Sequence, residues 1–167
     1  MQFAIYWGIQ AVWVLFTMLP VLILLGKKKK EQPEEITKRD YCGWGLWALG
    51  MYMEVVADRE KSAFRANTAN TGKFITGGLW DISRHPNYFG EMTLWAGMWL
   101  ASTSSFKGIE HLSVASPMFV AYLIARVSGI PMLERASDKK WGGQEAYEAY
   151  KLATPVLVPF LHMKPWW

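Results

Sequence analysis

The sequence predicts an all-α integral membrane protein, a bundle of about four transmembrane helices joined by polar segments. Three observations predict this fold class. Hydrophobic residues make up 51% of the 167-residue chain and charged residues only 19%, below the quarter or so that is usual in soluble domains. The first 26 residues carry no charged side chain. The ten tryptophans are many for this length, and indole rings favour the membrane–water interface.

The first predicted span is Met1–Gly26. A bilayer core of roughly 30 Å needs about 20 helical residues to cross, and this segment supplies them. Pro20 is expected to kink the helix, because proline lacks a backbone N–H. No basic region precedes the apolar run and no small-residue cleavage site follows it, so we expect a retained span rather than a signal peptide.

Three more apolar segments follow, and each contains one charged residue. These predicted spans are Tyr41–Ala57 with Glu54, Tyr88–Ser105 with Glu91, and Leu112–Leu133 with Arg126. A charge within a span is costly and usually faces a partner or a cavity, so we expect Arg126 to pair with Glu54 or Glu91.

The polar segments complete a single membrane domain, predicted to occupy residues 1–167. They are the linker Lys27–Asp40, a loop Asp58–Pro86 marked by Gly72, Gly77 and Gly78, and a C-terminal tail that starts at Glu134 and ends in Trp166–Trp167. With four spans, the loop and the tail share one face of the membrane.

The orientation follows from the distribution of basic residues. The face of the loop and the tail carries ten Lys and Arg, Lys164 included, against seven on the opposite face. The positive-inside rule therefore favours an inner or plasma membrane protein whose Asp58–Pro86 loop faces the cytoplasm. The compact run Lys27–Lys30 favours the opposite orientation, which is the alternative.

Several classes of function and site are excluded. Cys42 is the only cysteine, so no intrachain disulfide can form. No arginine-rich arm, zinc-finger spacing or RNA-binding signature is present, and no nucleic-acid partner is expected. The histidines lack metal-ligand spacing, so no metal site is predicted. No glycine-rich dinucleotide fingerprint follows a strand, which excludes a Rossmann unit.

The residues Glu54, Asp58, Lys61 and Arg65 are spaced four, three and four apart. If the second helix continues past the membrane surface, they form one stripe that changes from acidic at membrane depth to basic outside it. The alternative is ordinary ion pairing along a solvated helix end.

The densest polar and aromatic cluster is the segment Gly78–Glu91. Pro86 disfavours helix at the preceding residue, so Asn87 is the expected N-cap of the third span. Such a helix start directs free N–H groups and a positive dipole end toward the loop, a site suited to anions, and Arg84 and His85 add donors beside it. In the tail, Glu134, Tyr147 and Tyr150 are expected to close over a ligand held there. The alternative is a tail that lies as an interfacial helix.

Three blocks of this sequence resemble the steroid 5α-reductase C-terminal domain family, and most closely its bacterial branch. They are Glu54-x3-Asp58-x2-Lys61-x2-Phe64-Arg65, Ser83-Arg-His-Pro-Asn-Tyr-Phe-Gly-Glu91 and Ser128-Gly-Ile-Pro-Met-Leu-Glu134. The first span, with Gln10-Ala-Val-Trp13 and Leu19-Pro20, is similar to that branch as well. The resemblance covers nearly the whole chain.

The resemblance implies a membrane-embedded, NADPH-dependent reductase that saturates a carbon–carbon double bond in a lipid-like or steroid-like small molecule. Carried over from related sterol reductases, the cofactor-binding residues are Asp58, Lys61, Arg65, Trp80, Arg84, His85, Asn87, Tyr88, Glu134 and Tyr147. Lys140-Trp-Gly142 resembles a Lys-Tyr-Gly block that covers the same pocket. Glu91 and Tyr88 are the candidate catalytic residues, as proton donors to the substrate.

The chain departs from the family in one respect, and two other functions stay open. Family members have about seven spans, and the chain lacks the counterparts of the first three, so we expect a missing N-terminal portion, a homo-oligomer or another partner. The second function is an S-adenosylmethionine-dependent methyltransferase of the isoprenylcysteine or phospholipid type, which shares an Arg-His-Pro-x-Tyr-x-Gly block. The third is a non-catalytic membrane subunit.

Overall fold

The computed structural model describes residues 2–162. Lys164 and the Trp166–Trp167 pair, which the sequence analysis names, lie outside the described residues. Every regular element in the described part is helical, which confirms the all-α class. The helices are α1 (Gln2–Thr17), α2 (Leu19–Gly26), α3 (Lys38–Ala66), α4 (Pro86–Ser102), α5 (Ala115–Tyr122), α6 (Ile130–Trp141) and α7 (Glu145–Ala153), with a π-helical turn at Leu123–Val127 and short 3-10 turns between them.

The predicted kink in the first apolar segment is confirmed. Helices α1 and α2 meet at Met18 with a bend of 60°. Pro20 is the second residue of α2 and has no N–H to donate to the carbonyl of Phe16, so the α1 hydrogen-bond ladder ends there.

Helix α3 is longer than the predicted second span at both ends. It starts in the charged linker because Thr37 and Asp40 cap it reciprocally: the Thr37 N–H donates to Asp40 Oδ2 at 2.7 Å, and the Asp40 N–H donates to Thr37 Oγ1 at 3.4 Å. It then continues to Ala66, well beyond Ala57. The residues of the acidic-to-basic stripe therefore lie on one continuous helix.

The predicted N-cap of the third span, Asn87, is wrong by two positions, because the residue before the helix is His85. Helix α4 begins at Pro86, so Asn87 lies within its first turn. Proline suits a first helical position because the N–H that it lacks would have no partner there. The Asn87 amide instead donates to Asp58 Oδ1 on α3 at 3.0 Å.

Fewer helices than the predicted four pass a length and composition test for crossing a membrane. Within residues 2–162, one helical stretch of 34 residues, Gly108–Trp141, is long and apolar enough, and the bent pair α1–α2 makes a second if it is counted as one span. Helix α4 has only 17 residues, and α3 carries many charges. The helices are consistent with membrane association, and the count of four spans is not confirmed.

The chain divides into two compact units. The first, residues 1–48 and 92–121, holds α1, α2, α5 and parts of α3 and α4. In it α3 and α4 approach so closely at Gly43 and Gly97 that a Cβ on Gly97 would lie 2.6 Å from the Gly43 carbonyl oxygen. The second unit, residues 49–91 and 122–167, contains the candidate site. The single domain of residues 1–167 stays a prediction.

Candidate functional site

A glycine turn presents Trp80 to the site. Gly77 and Gly78 have φ of 94° and 61°, a backbone region that other residues rarely adopt, so the loop can reverse sharply there. Two carboxylates fix the turn: Glu60 Oε2 accepts from the Leu79 N–H at 3.1 Å, and Asp81 Oδ1 accepts from the Gly77 N–H at 2.7 Å. The indole N–H of the buried Trp80 donates to the Ala57 carbonyl at 3.2 Å.

The segment Ser83–His85 is tied to the end of the tail. The Arg84 N–H donates to the carbonyl oxygen of Pro155 at 2.8 Å, and Ser83 Oγ donates to that of Leu157 at 2.7 Å. Both Ser83 and Leu157 are buried. The tail after α7 therefore fixes the backbone from which the side chains of Arg84 and His85 project.

These side chains form a buried ionic group with Glu134 of α6. Arg84 is 8% exposed, His85 6% and Glu134 4%. His85 Nε2 lies 2.8 Å from Glu134 Oε1, and Arg84 Nη2 lies 3.1 Å from Glu134 Oε2. The second contact is an ion pair without hydrogen-bond alignment, and among residues 2–162 no partner accepts from Arg84 Nε. A buried guanidinium N–H is thus left without an acceptor among these residues.

The protonation state of His85 follows from this arrangement. Burial lowers the pKa of His85, and the contact with Glu134 opposes that shift without cancelling it. The imidazole is therefore neutral at pH 7. A carboxylate can only accept, so the ring proton is on Nε2 and Nδ1 is left as an acceptor.

The side chains of Arg84, His85 and Glu134 border a cavity of about 130 Å³. Its lining comes from α3, from the loop between α3 and α4, and from the tail helices α6 and α7. The lining residues are Lys61, Arg65, Phe74, Ile75, Trp80, Arg84, His85, Leu133, Glu134, Ser137, Trp141, Tyr147 and Tyr150. We call this the inner cavity.

Aromatic rings make up one wall of the inner cavity. Phe74 packs against Trp141, Tyr147 and Tyr150, with ring centroids 5.3 to 6.0 Å apart. The Tyr150 hydroxyl donates to the Trp80 carbonyl at 2.7 Å, and that of Tyr147 donates to Asp138 Oδ1 at 3.2 Å. Burial raises the pKa of both phenols, so they stay protonated and act as donors. Planar rings of a ligand can stack on this wall.

A second depression of about 320 Å³ adjoins the first, and we call it the outer cavity. The two share Lys61, Arg65, Ile75 and Trp141. Phe64, Asn70, Thr71, Gly72, Lys73 and Lys140 complete the lining. Lys61 Nζ lies 5.0 Å from the Trp80 ring centroid, a cation–π contact, and its pKa is lowered by burial and by the neighbouring Arg65 charge.

The inner cavity gathers most of the residues that the sequence analysis selected. Seven of the ten predicted cofactor-binding residues line it: Lys61, Arg65, Trp80, Arg84, His85, Glu134 and Tyr147. Tyr150 lies there too, as the tail prediction expects. A role in binding stays a prediction for each of them.

The other predicted site residues lie beside the inner cavity rather than on its lining. Asp58 and Asn87 bond to each other, and Asp58 borders a shallow depression with Glu54. The ring of Tyr88 stacks on that of His85, with centroids 5.8 Å apart and planes inclined by 14°. Neither Tyr88 nor Glu91 is a lining residue. Their catalytic role stays a prediction.

Sequence reasoning missed part of the lining. Phe74, Ile75 and Lys73 lie in the loop between α3 and α4, and Leu133 and Ser137 lie one helical turn apart in α6. The spacing of Leu133, Ser137 and Trp141, each four residues apart, was a signal that they share one face of α6. No pattern marks Phe74 or Ile75.

The sequence profile of a family described as "Protein of unknown function (DUF1295)" matches residues 1–154. Two steroid enzymes are similar over most of the chain. The 3-oxo-5-alpha-steroid 4-dehydrogenase 1 of Rattus norvegicus is 28% identical over 71% of the chain and 40% of its own length. The steroid 5-alpha-reductase DET2 of Arabidopsis thaliana is 28% identical over 74% of the chain and 42% of its own length.

A shorter match is to a protein of another class. The probable O-methyltransferase ustE of Ustilaginoidea virens is 38% identical over 41% of the chain and 24% of its own length. The chain thus spans between about a quarter and a half of the length of the curated relatives it matches. No solved structure matches it.

Proposed function

Because the chain belongs to the DUF1295 family of steroid 5α-reductase-like C-terminal domains, as its sequence predicts, we propose that it is an NADPH-dependent membrane reductase, or the cofactor-binding part of one. Its substrate is a hydrophobic small molecule, lipid-like or steroid-like, with a carbon–carbon double bond. The steroid reductases similar to the chain support the reaction class.

One observation carries this proposal: a buried guanidinium with an unused donor borders a cavity lined by further cations and aromatic rings. Keeping the Arg84–Glu134 ion pair out of water costs several kcal/mol unless the pair is well compensated. A bound phosphate would complete the hydrogen bonding of Arg84 Nε. Phosphates and stacked planar rings are what a dinucleotide cofactor offers, so the residues present fit NADPH.

In this proposal the residues of the chain bind and orient the cofactor. Lys61, Arg65 and Arg84 hold phosphate oxygens, and the rings of Trp80 and Tyr147 pack against the cofactor. When bound, the nicotinamide supplies a hydride to one carbon of the double bond. The protein must deliver a proton to the neighbouring carbon, and Tyr88 and Glu91 stay our candidates for that step.

Glu134 has a different role in the proposed site from the cations around it. Its carboxylate would repel a phosphate, and both of its oxygens face Arg84 and His85. We assign it the role of a positioning residue that holds these two side chains toward the cavity, rather than that of a direct cofactor ligand.

A methyltransferase is the second candidate, favoured by the 38% identity to the probable O-methyltransferase. S-adenosylmethionine carries a sulfonium cation and no phosphate. The cations Lys61 and Arg65, together with Arg84, suit that cofactor less well than a phosphorylated one. A non-catalytic membrane subunit is the third candidate.

Equilibrium binding to the detergent-purified protein separates these functions. Energy transfer from tryptophan to reduced nicotinamide reports NADPH binding, since Trp80 and Trp141 line the inner cavity. Competition against it reports S-adenosylmethionine. We expect NADPH to bind and the methyl donor not to compete. Preference for S-adenosylmethionine would replace the reductase by the methyltransferase, and binding of neither would favour the subunit.

We further infer a four-span bundle in an inner or plasma membrane, with the cavities facing the cytoplasm. Cysteine labelling tests the orientation. Cys42 is the only native cysteine, so Cys42→Ala gives a protein with no background labelling. In Cys42→Ala protein, a cysteine introduced at Asn70 should react with a membrane-impermeant maleimide in inside-out vesicles only. Labelling in right-side-out vesicles would reverse the orientation.

A further inference from the structure

The C-terminal tail contains a strained turn after α7. Pro159 and Phe160 are the central residues of this turn, which the Leu161 N–H closes by donating to the Val158 carbonyl at 3.1 Å. Phe160 has a φ of 64°, the only positive φ of a non-glycine residue among residues 2–162. Turns of this kind usually place glycine at that position, because a bulky side chain is strained there. Such strain persists where its surroundings or a function require it.

The turn exposes apolar side chains, although the residues just before it are buried. Val156 and Leu157 are part of the core. The side chain of Phe160, only a few residues later, is 80% exposed, and that of Leu161 is 52% exposed. The chain is therefore anchored up to Leu157, and beyond it the apolar side chains turn outward.

A third exposed apolar side chain lies beside the turn. His162 Nε2 donates to the Ala153 carbonyl at 3.0 Å and ties the end of the turn to the end of α7. Leu152, the neighbour of Ala153, is 80% exposed. We call Leu152, Phe160 and Leu161 the apolar patch. Exposed apolar residues are ordinary when they occur singly, whereas a group of them marks an interaction surface.

Two hydrogen bonds set the depth of the apolar patch relative to the membrane. Ser83 and Arg84 donate to the carbonyls of Leu157 and Pro155, and α4 begins only two residues after Arg84, at Pro86. Because α4 is the third span of the proposed bundle, these bonds lie close to the membrane surface. The three residues that follow Leu157 extend the chain by at most roughly 10 Å. The interfacial layer on each side of the hydrocarbon core is roughly 5 to 8 Å thick, so the patch can reach it.

The sequence around the apolar patch suits a phospholipid surface. No aspartate or glutamate follows Glu148, and the chain continues after the turn as Met163-Lys-Pro-Trp-Trp167. Indole rings favour the membrane interface, and lysine is attracted to anionic headgroups. A standard protein–protein interface takes roughly 20 to 30 residues from each partner, far more than this patch offers.

We propose that the apolar patch inserts into the headgroup region of the bilayer, on the same side as the two cavities. Burial of the Phe160 ring in lipid offsets the strain of the turn. The membrane thereby anchors the tail segment that holds the backbone of Ser83 and Arg84. This inference rests on the membrane placement of α4 given under the proposed function, and it does not depend on which cofactor the cavities bind.

Single fluorescent labels in vesicles test the insertion. An environment-sensitive NBD group is attached at Phe160→Cys in the Cys42→Ala protein, which is reconstituted in vesicles of phosphatidylcholine and phosphatidylglycerol. We expect a blue-shifted emission that nitroxide-labelled lipids quench strongly and aqueous iodide quenches weakly. Lys139→Cys is the matched control, because Lys139 is an exposed residue of α6 in the same unit, and it should show the reverse order.

A third label separates failure of this proposal from failure of the membrane placement. Ile9 is exposed on α1, in the first predicted span, and Ile9→Cys carries the label there. Lipid quenching at residue 9 without lipid quenching at residue 160 would overturn the insertion alone. Its absence at both positions would overturn the membrane placement together with the insertion. Protection of residue 160 from both quenchers would show that protein covers the patch, and that result overturns the insertion as well.

Two further variants test the ring of Phe160 itself, with the label moved to Leu161→Cys. Phe160→Gly removes the ring and relieves the backbone, since glycine adopts a φ of 64° freely. Phe160→Leu is the control that keeps an apolar side chain. We expect the lipid quenching at residue 161 to be lost in Phe160→Gly and retained in Phe160→Leu. Equal lipid quenching in the two variants would overturn the role of the ring in insertion.

Discussion

The two compact units bury polar side chains of different kinds. In residues 2–48 and 92–121, all the buried polar side chains that the structure describes are hydroxyls: Thr17, Ser102, Thr103, Ser105, Ser113 and Ser116. In residues 49–91 and 122–162, they include the ions Arg84 and Glu134 and the imidazole of His85. The buried polar side chains of the first unit are neutral hydroxyls, which cost little to bury when they are hydrogen-bonded. The second unit buries charged side chains as well.

The hydroxyls of the first unit mostly bond to their own helix. Thr17 donates to the Trp13 carbonyl at 2.7 Å and Ser102 to that of Met98 at 2.9 Å, four residues back in each case. Such bonds satisfy the side chain locally. The ions of the second unit instead join residues about 50 positions apart in the chain. Charge held across that separation at a cavity is typical of a functional site rather than of a scaffold.

The largest effect is expected at Arg84. Arg84→Ala should abolish detectable NADPH binding and lower stability by about 3 kcal/mol or more, because Glu134 keeps a buried charge without its cation. Binding titration and thermal unfolding in detergent measure the two effects.

The double variant Arg84→Met with Glu134→Gln tells folding from binding. It removes both charges, so it should recover much of the lost stability and still fail to bind NADPH. If it binds NADPH as the wild type does, then Arg84 has no role in the site.

Glycines let α3 and α4 approach closely in both units, so replacing a glycine by alanine should lower stability by a similar amount in each unit. A Cβ on Gly90 would lie 2.6 Å from the Gly50 carbonyl oxygen, and one on Gly97 would lie as close to that of Gly43. Each change to alanine should destabilise the protein by about 1–3 kcal/mol. Gly45→Ala is the control, since nothing lies within 4 Å of its added Cβ. A melting temperature of Gly97→Ala equal to that of the wild type would refute the close packing of α3 against α4 in the first unit.

The pH dependence of stability should come from the second unit. The pKa of His85 is lowered in the folded state from an ordinary value of 6.5, mainly by burial, with Arg84 and Lys61 adding to the shift and Glu134 opposing it. The unfolded chain therefore binds the proton first, and stability is lost as the pH falls through about 6.5. Unfolding in urea between pH 8 and pH 5 measures this slope. It should be smaller in His85→Gln, and an unchanged slope would mean that other groups cause it.

The smallest effect is expected at a buried hydroxyl of the first unit. Ser116 Oγ donates to the Thr17 carbonyl at 2.6 Å, and Ser116 is fully buried. Ser116→Ala should cost about 1 kcal/mol, the usual worth of a neutral hydrogen bond, and leave NADPH affinity unchanged. A large loss of NADPH affinity in this variant would contradict the proposal that the second unit alone binds the cofactor.

The sequence predicted what depends on local periodicity and on chain breakers. The stripe from Glu54 to Arg65 was foreseeable from spacing alone, because α3 is continuous. The bend near Pro20 followed from its missing N–H. The Thr37–Asp40 cap was also present in the sequence as a Thr-x-x-acid pattern, and we overlooked it.

The rest depends on contacts that no local pattern encodes. The pairing of His85 with Glu134 requires α6 to lie against the residues that precede α4. The chemistry of the two side chains brought both into the predicted set, but no local pattern pairs them. Asp58 and Tyr88 carry suitable chemistry, but the direction in which each projects from its helix places it beside the cavity. Phe74 lines the inner cavity because of the path that its loop takes. The positive-φ glycines of the loop permit that path but do not specify it.

The structure of the detergent-purified protein with NADPH tests the central claim most directly. We expect cofactor density in the second unit, with a phosphate on Arg84 Nε and a ring against the Phe74–Tyr147 wall. Density elsewhere on the protein, or an empty cavity at saturating NADPH, would contradict it.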